Sequence, residues 1–227
     1  MFVRRVGPWQ IKIQVEPVLY SQAELTRTYE QVAGLWHTGL TWAGYQEAYR
    51  SAFEQLVQLG WFKHIASGER ILDCGIGSGA FSQAFLRVLD RNLQLHGVDL
   101  SSQMLEQTEE KLTQSAHLSR QDAGHLAYPM ASFGAVLSAH MLEHFEQPLS
   151  GIQEMVRVLR PGGVLVLSFT RRSPVSAAMS AFWRNRSFTS ADMLDWLRQA
   201  GLSDRYVLSY ALGSTRWVSL CVVGRKP

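Results

Sequence analysis

A short apolar run in this chain ends in an acidic residue that is followed by glycines at alternate positions. Asp73 closes the run, and Gly75, Gly77 and Gly79 begin two positions after it. This pattern predicts a buried strand that breaks into a tight loop, because glycine accepts positive φ and lets a ligand approach the backbone closely. The loop therefore predicts a ligand site, and the glycines alone leave two classes of ligand open.

The first of these classes is a dinucleotide. Residues 75–80 satisfy the pattern G-x-G-x-x-G/A, and Asp99 lies 24 positions after Gly75, close to the spacing of about 20 that dinucleotide sites show. Asp73 argues against this ligand. A pyrophosphate needs backbone N–H groups and a helix N-terminus at this point, and a neighbouring carboxylate would repel it. The same carboxylate suits a ligand that carries a positive charge.

Two further acids follow the next two predicted strands. Asp99 ends one strand and can accept hydrogen bonds from both hydroxyls of a ribose. Asp122, with Ala123 beside it, follows the other and can accept from the exocyclic amine of an adenine. A lone aspartate usually caps a turn or helix, but acids at three successive strand ends indicate a single ligand that contacts all three. An adenosyl sulfonium with an amino-acid tail satisfies all three.

Alternating strand and helix patterns position these residues. Short apolar runs predict strands at residues 70–74, 93–99, 132–139 and 163–169, with a weaker strand at 117–121. Helical patterns fill the intervals at residues 79–89, 101–112, 149–159 and 189–200. Two last apolar segments, 205–212 and 216–223, predict an antiparallel hairpin. The alternation indicates an α/β fold with a doubly wound sheet, whose ligands bind at the carboxyl ends of the strands.

The same segments resemble the class I S-adenosylmethionine-dependent methyltransferases over roughly residues 62–223. The resemblance rests on LDCGIGSG at 72–79, GVDLSSQML at 97–105, DA at 122–123, the strand and loop at 133–144, and LRPGGVL at 159–165. It implies a Rossmann-like sheet of seven strands, the last inserted antiparallel, and S-adenosylmethionine as cofactor. The cofactor-binding residues that it implies are Asp73, Gly75, Gly77, Gly79, Asp99, Leu100, Met104, Asp122, Ala123 and His140.

Residues 140–144 read H-M-L-E-H, which also matches the inverted zinc-protease pattern. That chemistry needs both histidines on one helix face, whereas this segment follows a predicted strand, so no metal is expected. Some related methyltransferases carry E-x-x-E-H here and are thought to hold a divalent metal. His140 replaces the first glutamate, which disfavours a hard cation. His140 or His144 as a general base, and His144 as an ordering group for the loop, stay open.

The first 60 residues predict two aromatic-rich helices, at residues 23–35 and 42–59. We expect an N-terminal helical extension or lid over residues 1–60 and the cofactor-binding domain over 61–227. The acceptor pocket is expected between this lid and residues 170–187. Its candidate residues are Trp36, His37, Trp42, Tyr45, Arg171, Arg172 and Trp183. Aromatic walls and guanidinium groups suit a small aromatic or carboxylate-bearing metabolite, although solvated arginines explain the pattern equally well.

Composition limits which other classes of function the chain is expected to have. The chain has 227 residues, of which 46% are hydrophobic, and a net charge of +3, which fits one well-cored domain with a solvated basic face better than a nucleic-acid binder. No apolar run reaches membrane-spanning length or forms a signal-peptide core, so a cytoplasmic protein is expected. The sequence thus predicts a methyltransferase for a small-molecule acceptor. RNA or protein methylation, and cofactor binding without methyl transfer, are the alternatives.

Overall fold

The computed structural model describes residues 2–6, 9–13, 18–21, 23–28, 44–112, 116–177, 185–211 and 215–227. At the N-terminus, β1 (Phe2–Val6) and β2 (Trp9–Ile13) form an antiparallel hairpin in which Phe2 lies opposite Ile13. A short helix, α1, follows at residues 23–28. The sequence patterns did not indicate this hairpin.

Seven strands form one mixed sheet, which confirms the predicted α/β architecture. They are β3 (Arg70–Cys74), β4 (Gln94–Asp99), β5 (Ala116–Arg120), β6 (Phe133–Ala139), β7 (Leu159–Thr170), β8 (Ser203–Ser209) and β9 (Ser219–Arg225). Their order in the sheet is β5-β4-β3-β6-β7-β9-β8. The first five are parallel to one another, and β9 lies antiparallel between β7 and β8. The order reverses between β3 and β6, where α/β sheets of this kind bind ligands.

Helices cover both faces of the sheet. They are α2 (Tyr45–Gln58), α3 (Ala80–Leu89), α4 (Ser102–Lys111), α5 (Pro148–Val158), α6 (residues 174–177), α7 (Ser190–Gln199) and α8 (Thr215–Val218), with a 3₁₀ turn at Leu142–His144. Local sequence sets several helix starts. Thr189 and Asp192 form a capping box at α7, and Ser101 accepts the Met104 N–H at 3.3 Å before α4. No described helix is long and apolar enough to cross a membrane.

Two apolar clusters fill the core, one on each face of the sheet, because alternate strand residues point to opposite faces. On one face α2 packs against α3, and Phe53 lies fully buried with its ring 4.8 Å from Phe81 and 5.2 Å from Phe85. Helix α2 therefore contributes to the same core as the sheet. A separate unit at residues 1–60 stays a prediction.

The last two strands differ from the predicted hairpin in their bounds. Residues Thr215–Val218 are helical, and β9 begins only at Ser219 and continues to Arg225. Pairing explains these limits, since β9 matches β7 residue by residue from Ser219 opposite Thr170 to Arg225 opposite Val164. The position of β9 between two strands fixes its length, and an apolar pattern carries no information on such partners.

Candidate functional site

The carboxyl ends of β3, β4 and β6 and the loop after β5 surround one cavity of about 500 Å³. This volume lies in the range of small-molecule sites. Most of the predicted cofactor residues line it together, namely Asp73, Gly75, Gly77, Asp99, Leu100, Met104, Asp122, Ala123 and His140, and so does His144. Gly79 does not line it, but holds a left-handed conformation, φ +74°, just before α3. The parallel sheet thus gathers residues that lie far apart in sequence.

The glycine loop is held close to its neighbours. Gly75 has φ +68°, and a Cβ there would lie 2.7 Å from Cγ of Met141. Its N–H donates to the carbonyl of Val98 at 2.8 Å, which ties the loop to β4. Only glycine combines this backbone conformation with such close approach. The loop therefore leaves its backbone accessible on the cavity side.

Asp99 sits at the end of β4 and accepts two backbone N–H groups. Gly77 donates to its Oδ2 and Ser101 to its Oδ1, each at 2.9 Å. Burial raises the pKa of this carboxyl group, while the N–H donors oppose the rise. A carboxylate has about four acceptor positions, so two backbone bonds leave capacity for two hydroxyl donors. This arrangement fits a ribose.

Asp73 is buried at the end of β3, with 1% of its surface exposed. Ser82 donates its hydroxyl to Oδ2, and Oδ1 has no hydrogen-bond partner among the described residues. Burial raises the pKa of Asp73 to about 7, and the charge of Asp99 adds to the rise. A buried carboxylate oxygen without a partner carries a free-energy cost that a cationic donor removes. Because Asp73 lines the cavity, an ammonium group of a ligand fits here.

Asp122 and Ala123 line the cavity from the loop after β5. Oδ1 of Asp122 accepts the N–H of Gly124 at 2.8 Å, as in an Asx turn. His125 Nδ1 lies 3.5 Å from the other oxygen. The side chain thus shapes the turn and also lines the cavity. A role in the turn is therefore compatible with a contact to a ligand.

His140 and His144 flank a fully buried acid, Glu143. His140 Nδ1 lies 3.0 Å from Oε1 of Glu143, and the Thr170 N–H donates to the same oxygen at 2.6 Å. Burial lowers the pKa of His144, and the nearby His140 lowers it further against the effect of Glu143. In the described part of the chain, no three His, Cys, Asp or Glu side chains are grouped as metal ligands.

The predicted acceptor residues divide into three groups. Trp36, His37, Trp42 and Trp183 lie outside the described residues. Tyr45 is buried and is not among the cavity-lining residues, and its hydroxyl lies 2.9 Å from Ser219 Oγ. Arg171 and Arg172 bond to the carbonyls of Arg216 and Ser187 and are not among the cavity-lining residues. Their assignment to an acceptor stays a prediction.

Several lining residues had no signal in the sequence. Tyr20, Ser21, Leu25 and Thr26 reach the cavity from the N-terminal segment, and Tyr49 from α2. Only the aromatic pattern of α2 pointed toward Tyr49. Glu143 lies within the segment 140–144, but the chemistry predicted for that segment rests on its two histidines. Among the described lining residues there is no lysine or arginine, which disfavours an anionic acceptor.

The fold is a doubly wound α/β sheet, and its candidate site combines a glycine loop with acids at three strand ends. A family profile described as a methyltransferase domain matches residues 72–167, which include all three acids. Over this stretch the chain is similar to the class I S-adenosylmethionine-dependent methyltransferases.

Similar proteins agree with this family. The chloroplastic 2-methyl-6-phytyl-1,4-hydroquinone methyltransferase 1 of Oryza sativa subsp. japonica is 29% identical over 146 residues, which cover 60% of this chain and 42% of that protein. A ubiquinone biosynthesis O-methyltransferase of Xanthomonas axonopodis pv. citri is 27% identical over 161 residues, with coverages of 60% and 63%. The chain thus spans about half the length of these curated relatives.

The solved structure of the [4+2]-cyclase SpnF shares the fold, with a TM-score of 0.67 and 21% identity. The alignment covers 94% of this chain and 99% of that one. At this identity the likeness concerns the fold alone.

Proposed function

We propose that this protein transfers a methyl group from S-adenosylmethionine to an oxygen or nitrogen atom of a small aromatic acceptor. The observation that carries the proposal is the convergence of Asp73, Asp99 and Asp122 on one cavity beside the glycine loop. Each carboxylate matches a different part of the methyl donor, namely its ammonium, its ribose and its adenine. No single acid would carry this assignment.

S-adenosylmethionine, when bound, supplies a methyl group that its sulfonium charge has already activated. The residues of this chain have to orient the reactants and exclude water. Asp99 receives the ribose hydroxyls, and Asp73 offers its unpartnered Oδ1 to the ammonium. Apolar side chains such as Met141 and Phe145 form part of the wall and keep water away from the transfer.

The acceptor class is inferred from the lining and from the relatives. Tyr49, Phe81 and Phe145 give the cavity aromatic walls, which suit a planar ring. The names of two relatives describe a hydroquinone methyltransferase and an O-methyltransferase of ubiquinone biosynthesis. Both point to aromatic compounds with hydroxyl groups. The carboxylate-bearing acceptor that the sequence also suggested has less support, because the two predicted arginines do not line the described cavity.

Two measurements test the proposal. Calorimetry with S-adenosylmethionine and S-adenosylhomocysteine should show binding of both. Incubation with S-adenosylmethionine and a panel of phenols, catechols and aromatic amines should release S-adenosylhomocysteine with at least one acceptor.

The rival functions give different results in the same assay. Methyl label incorporated into total RNA or total cell protein, with none in the small-molecule panel, would favour a macromolecule-modifying enzyme. Tight cofactor binding with no transfer to any acceptor would favour a member of the fold that does not methylate. Absence of cofactor binding would refute the site assignment itself.

A further inference from the structure

The connection between β5 and β6 contains no helix. Parallel strands are usually joined by a helical crossover, whose backbone groups bond to one another. Residues 121–132 instead form turns, and residues 122–125 among them line the cavity. Backbone N–H and C=O groups that are not paired within a helix or sheet need other partners. The contacts of the residues just after 125 show where some of these partners lie.

Two charged side chains on α5 supply these partners. Arg157 donates to the carbonyl of Tyr128 at 2.9 Å and to that of Leu126 at 3.0 Å. Glu154 Oε1 accepts the N–H of Leu126 at 2.7 Å. Leu126 directly follows the cavity-lining residues 122–125, and its side chain is buried. Both backbone groups of this residue are therefore bonded to side chains of α5.

Glu154 and Arg157 also hold each other in one orientation. The guanidinium group donates from Nε to Oε2 at 2.7 Å and from Nη2 to Oε1 at 2.8 Å, and such a pair of parallel bonds fixes the geometry of both groups. The bonds from Arg157 hold the pKa of Glu154 below its ordinary value, so the glutamate is ionised at neutral pH. The loop after β5 is therefore bonded to two side chains that are themselves immobilised.

Short bonds connect this anchor to the cavity-lining residues. Oδ1 of Asp122 accepts the Gly124 N–H at 2.8 Å, and the Asp122 carbonyl accepts the His125 N–H at 2.9 Å. The ring of Phe145 packs closely beside this turn, since a Cβ at Gly124 would lie 3.3 Å from it. Residues 122–125 thus form a compact turn that ends at the anchored Leu126. Movement of Leu126 would therefore shift the Asp122 carboxylate relative to the adenine that it is expected to bind.

We propose that Glu154 and Arg157 are positioning residues that set the selectivity of the cofactor site for adenine. Neither side chain lines the cavity, so both act through the backbone of Leu126 and Tyr128. This inference rests on the binding of S-adenosylmethionine that the proposed function requires.

The selectivity concerns one substituent of the purine ring. An ionised carboxylate only accepts hydrogen bonds, so Asp122 attracts the exocyclic amine of adenine and repels the carbonyl oxygen that replaces it in hypoxanthine. Discrimination between the two rings needs a carboxylate that is fixed against the ring edge. A loop that is free to move relaxes away from the repelling oxygen, and the same freedom weakens the bond to the amine.

Calorimetry with Arg157→Met and three ligands tests the inference. S-adenosylhomocysteine is compared with S-inosylhomocysteine, which carries hypoxanthine, and with the 2′-deoxy form of S-adenosylhomocysteine. We expect the wild type to prefer S-adenosylhomocysteine over the inosyl compound about 10- to 10²-fold, because one hydrogen bond to a charged group is lost. Arg157→Met should reduce this preference by about tenfold, because the carboxylate is no longer held in place.

The deoxy compound separates a local effect from a general one. It lacks one of the hydroxyls that Asp99 is expected to bind, and Asp99 is held by the N–H groups of Gly77 and Ser101 rather than by α5. Arg157→Met should therefore keep the wild-type preference for the ligand with both hydroxyls. A variant that loses both preferences together has a generally loosened site, which refutes the inference. A variant that keeps both preferences refutes it as well.

Arg198→Met is the matched control. Arg198 pairs with Asp195, three residues earlier on α7, just as Arg157 pairs with Glu154 on α5, and both ion pairs have a separation of 2.7 Å. Nε and Nη2 of Arg198 both bond to Asp195, and neither residue lines the cavity. We expect both ligand preferences of Arg198→Met to equal those of the wild type.

Urea unfolding establishes whether each variant is folded. Where Arg157→Met does not fold, Arg157→Lys repeats the comparison. Lysine keeps the positive charge but lacks the planar fork that bonds to Glu154 and to both loop carbonyls at once, so we expect a reduced adenine preference in this variant as well.

Failure of the inference and failure of the proposed function give different results. A wild-type protein that binds S-adenosylhomocysteine and S-inosylhomocysteine equally would overturn the inference alone, because there would be no adenine selectivity for α5 to support. A wild-type protein that binds neither S-adenosylmethionine nor S-adenosylhomocysteine would overturn the proposed function, and the inference with it.

Discussion

Replacement of Asp99 by alanine should weaken binding of S-adenosylmethionine by about two orders of magnitude. The partly buried carboxylate of Asp99 retains capacity for two hydroxyl donors beyond its bonds to Gly77 and Ser101. A hydrogen bond to a charged group contributes about 1.5–3 kcal/mol, so two of them contribute at least about 3 kcal/mol. At 1.4 kcal/mol per factor of ten, this corresponds to a Kd about 10²-fold higher.

Calorimetry on the wild type, Asp99→Ala and Asp99→Asn measures this effect. Asparagine keeps the shape of the side chain, but its NH₂ group must face one of the two backbone N–H donors, so we expect weakened binding in this variant as well. Asp204→Asn is the control, because that side chain is 70% exposed on β8 and is not among the cavity-lining residues. The ribose assignment is wrong if folded Asp99→Ala and Asp99→Asn both bind within threefold of the wild type.

Three further predictions concern stability. Burial moves the pKa of Asp73 from 3.8 to about 7, so the folded state binds this proton more tightly than the unfolded chain. The free energy of unfolding should therefore fall by about 4 kcal/mol as pH rises from about 4 to about 7. Melting curves of Asp73→Asn should lack this pH-dependent loss, and a pH profile identical to that of the wild type would contradict the prediction. Phe53→Ala should cost about 4 kcal/mol within a single urea transition, whereas loss of α2 in a separate transition would show an independent N-terminal unit. Thr189→Ala removes the capping box of α7 and should cost about 1 kcal/mol in urea unfolding without a change in cofactor affinity.

The sheet could be predicted because each of its parallel strands carries a local signal. Strands buried on both faces are short apolar runs, and the turn residues beside them mark their ends. The runs around Ile71, Val136 and Leu165 are of this kind, and all three residues are fully buried. The limits of β9 could not be read in this way, because pairing with β7 and β8 sets them.

The acids of the site could be predicted for a related reason. The carboxyl ends of parallel strands meet at one edge of the sheet, so Asp73, Asp99 and Asp122 were expected to converge, and all three line the cavity. Arg171 and Arg172 are predicted beside the acceptor because they follow the fifth predicted strand, in a segment expected to face the N-terminal helices. Their side chains bond to carbonyls of Arg216 and Ser187, and no local pattern in the sequence indicates these partners.

The sequence by itself determined the class of fold and the acids that suit the methyl donor, since both follow from local patterns and from strand order. Only the tertiary structure decided that Glu143 lies buried against His140, with Ser168 and Ser219 on the far side of the ring. His140 and Glu143 come from the loop after β6, Ser168 from β7 and Ser219 from β9, and no spacing along the chain relates the two serines to the histidine. Burial strengthens the interaction between the Glu143 carboxylate and the His140 imidazole, because electrostatic interactions are stronger away from water.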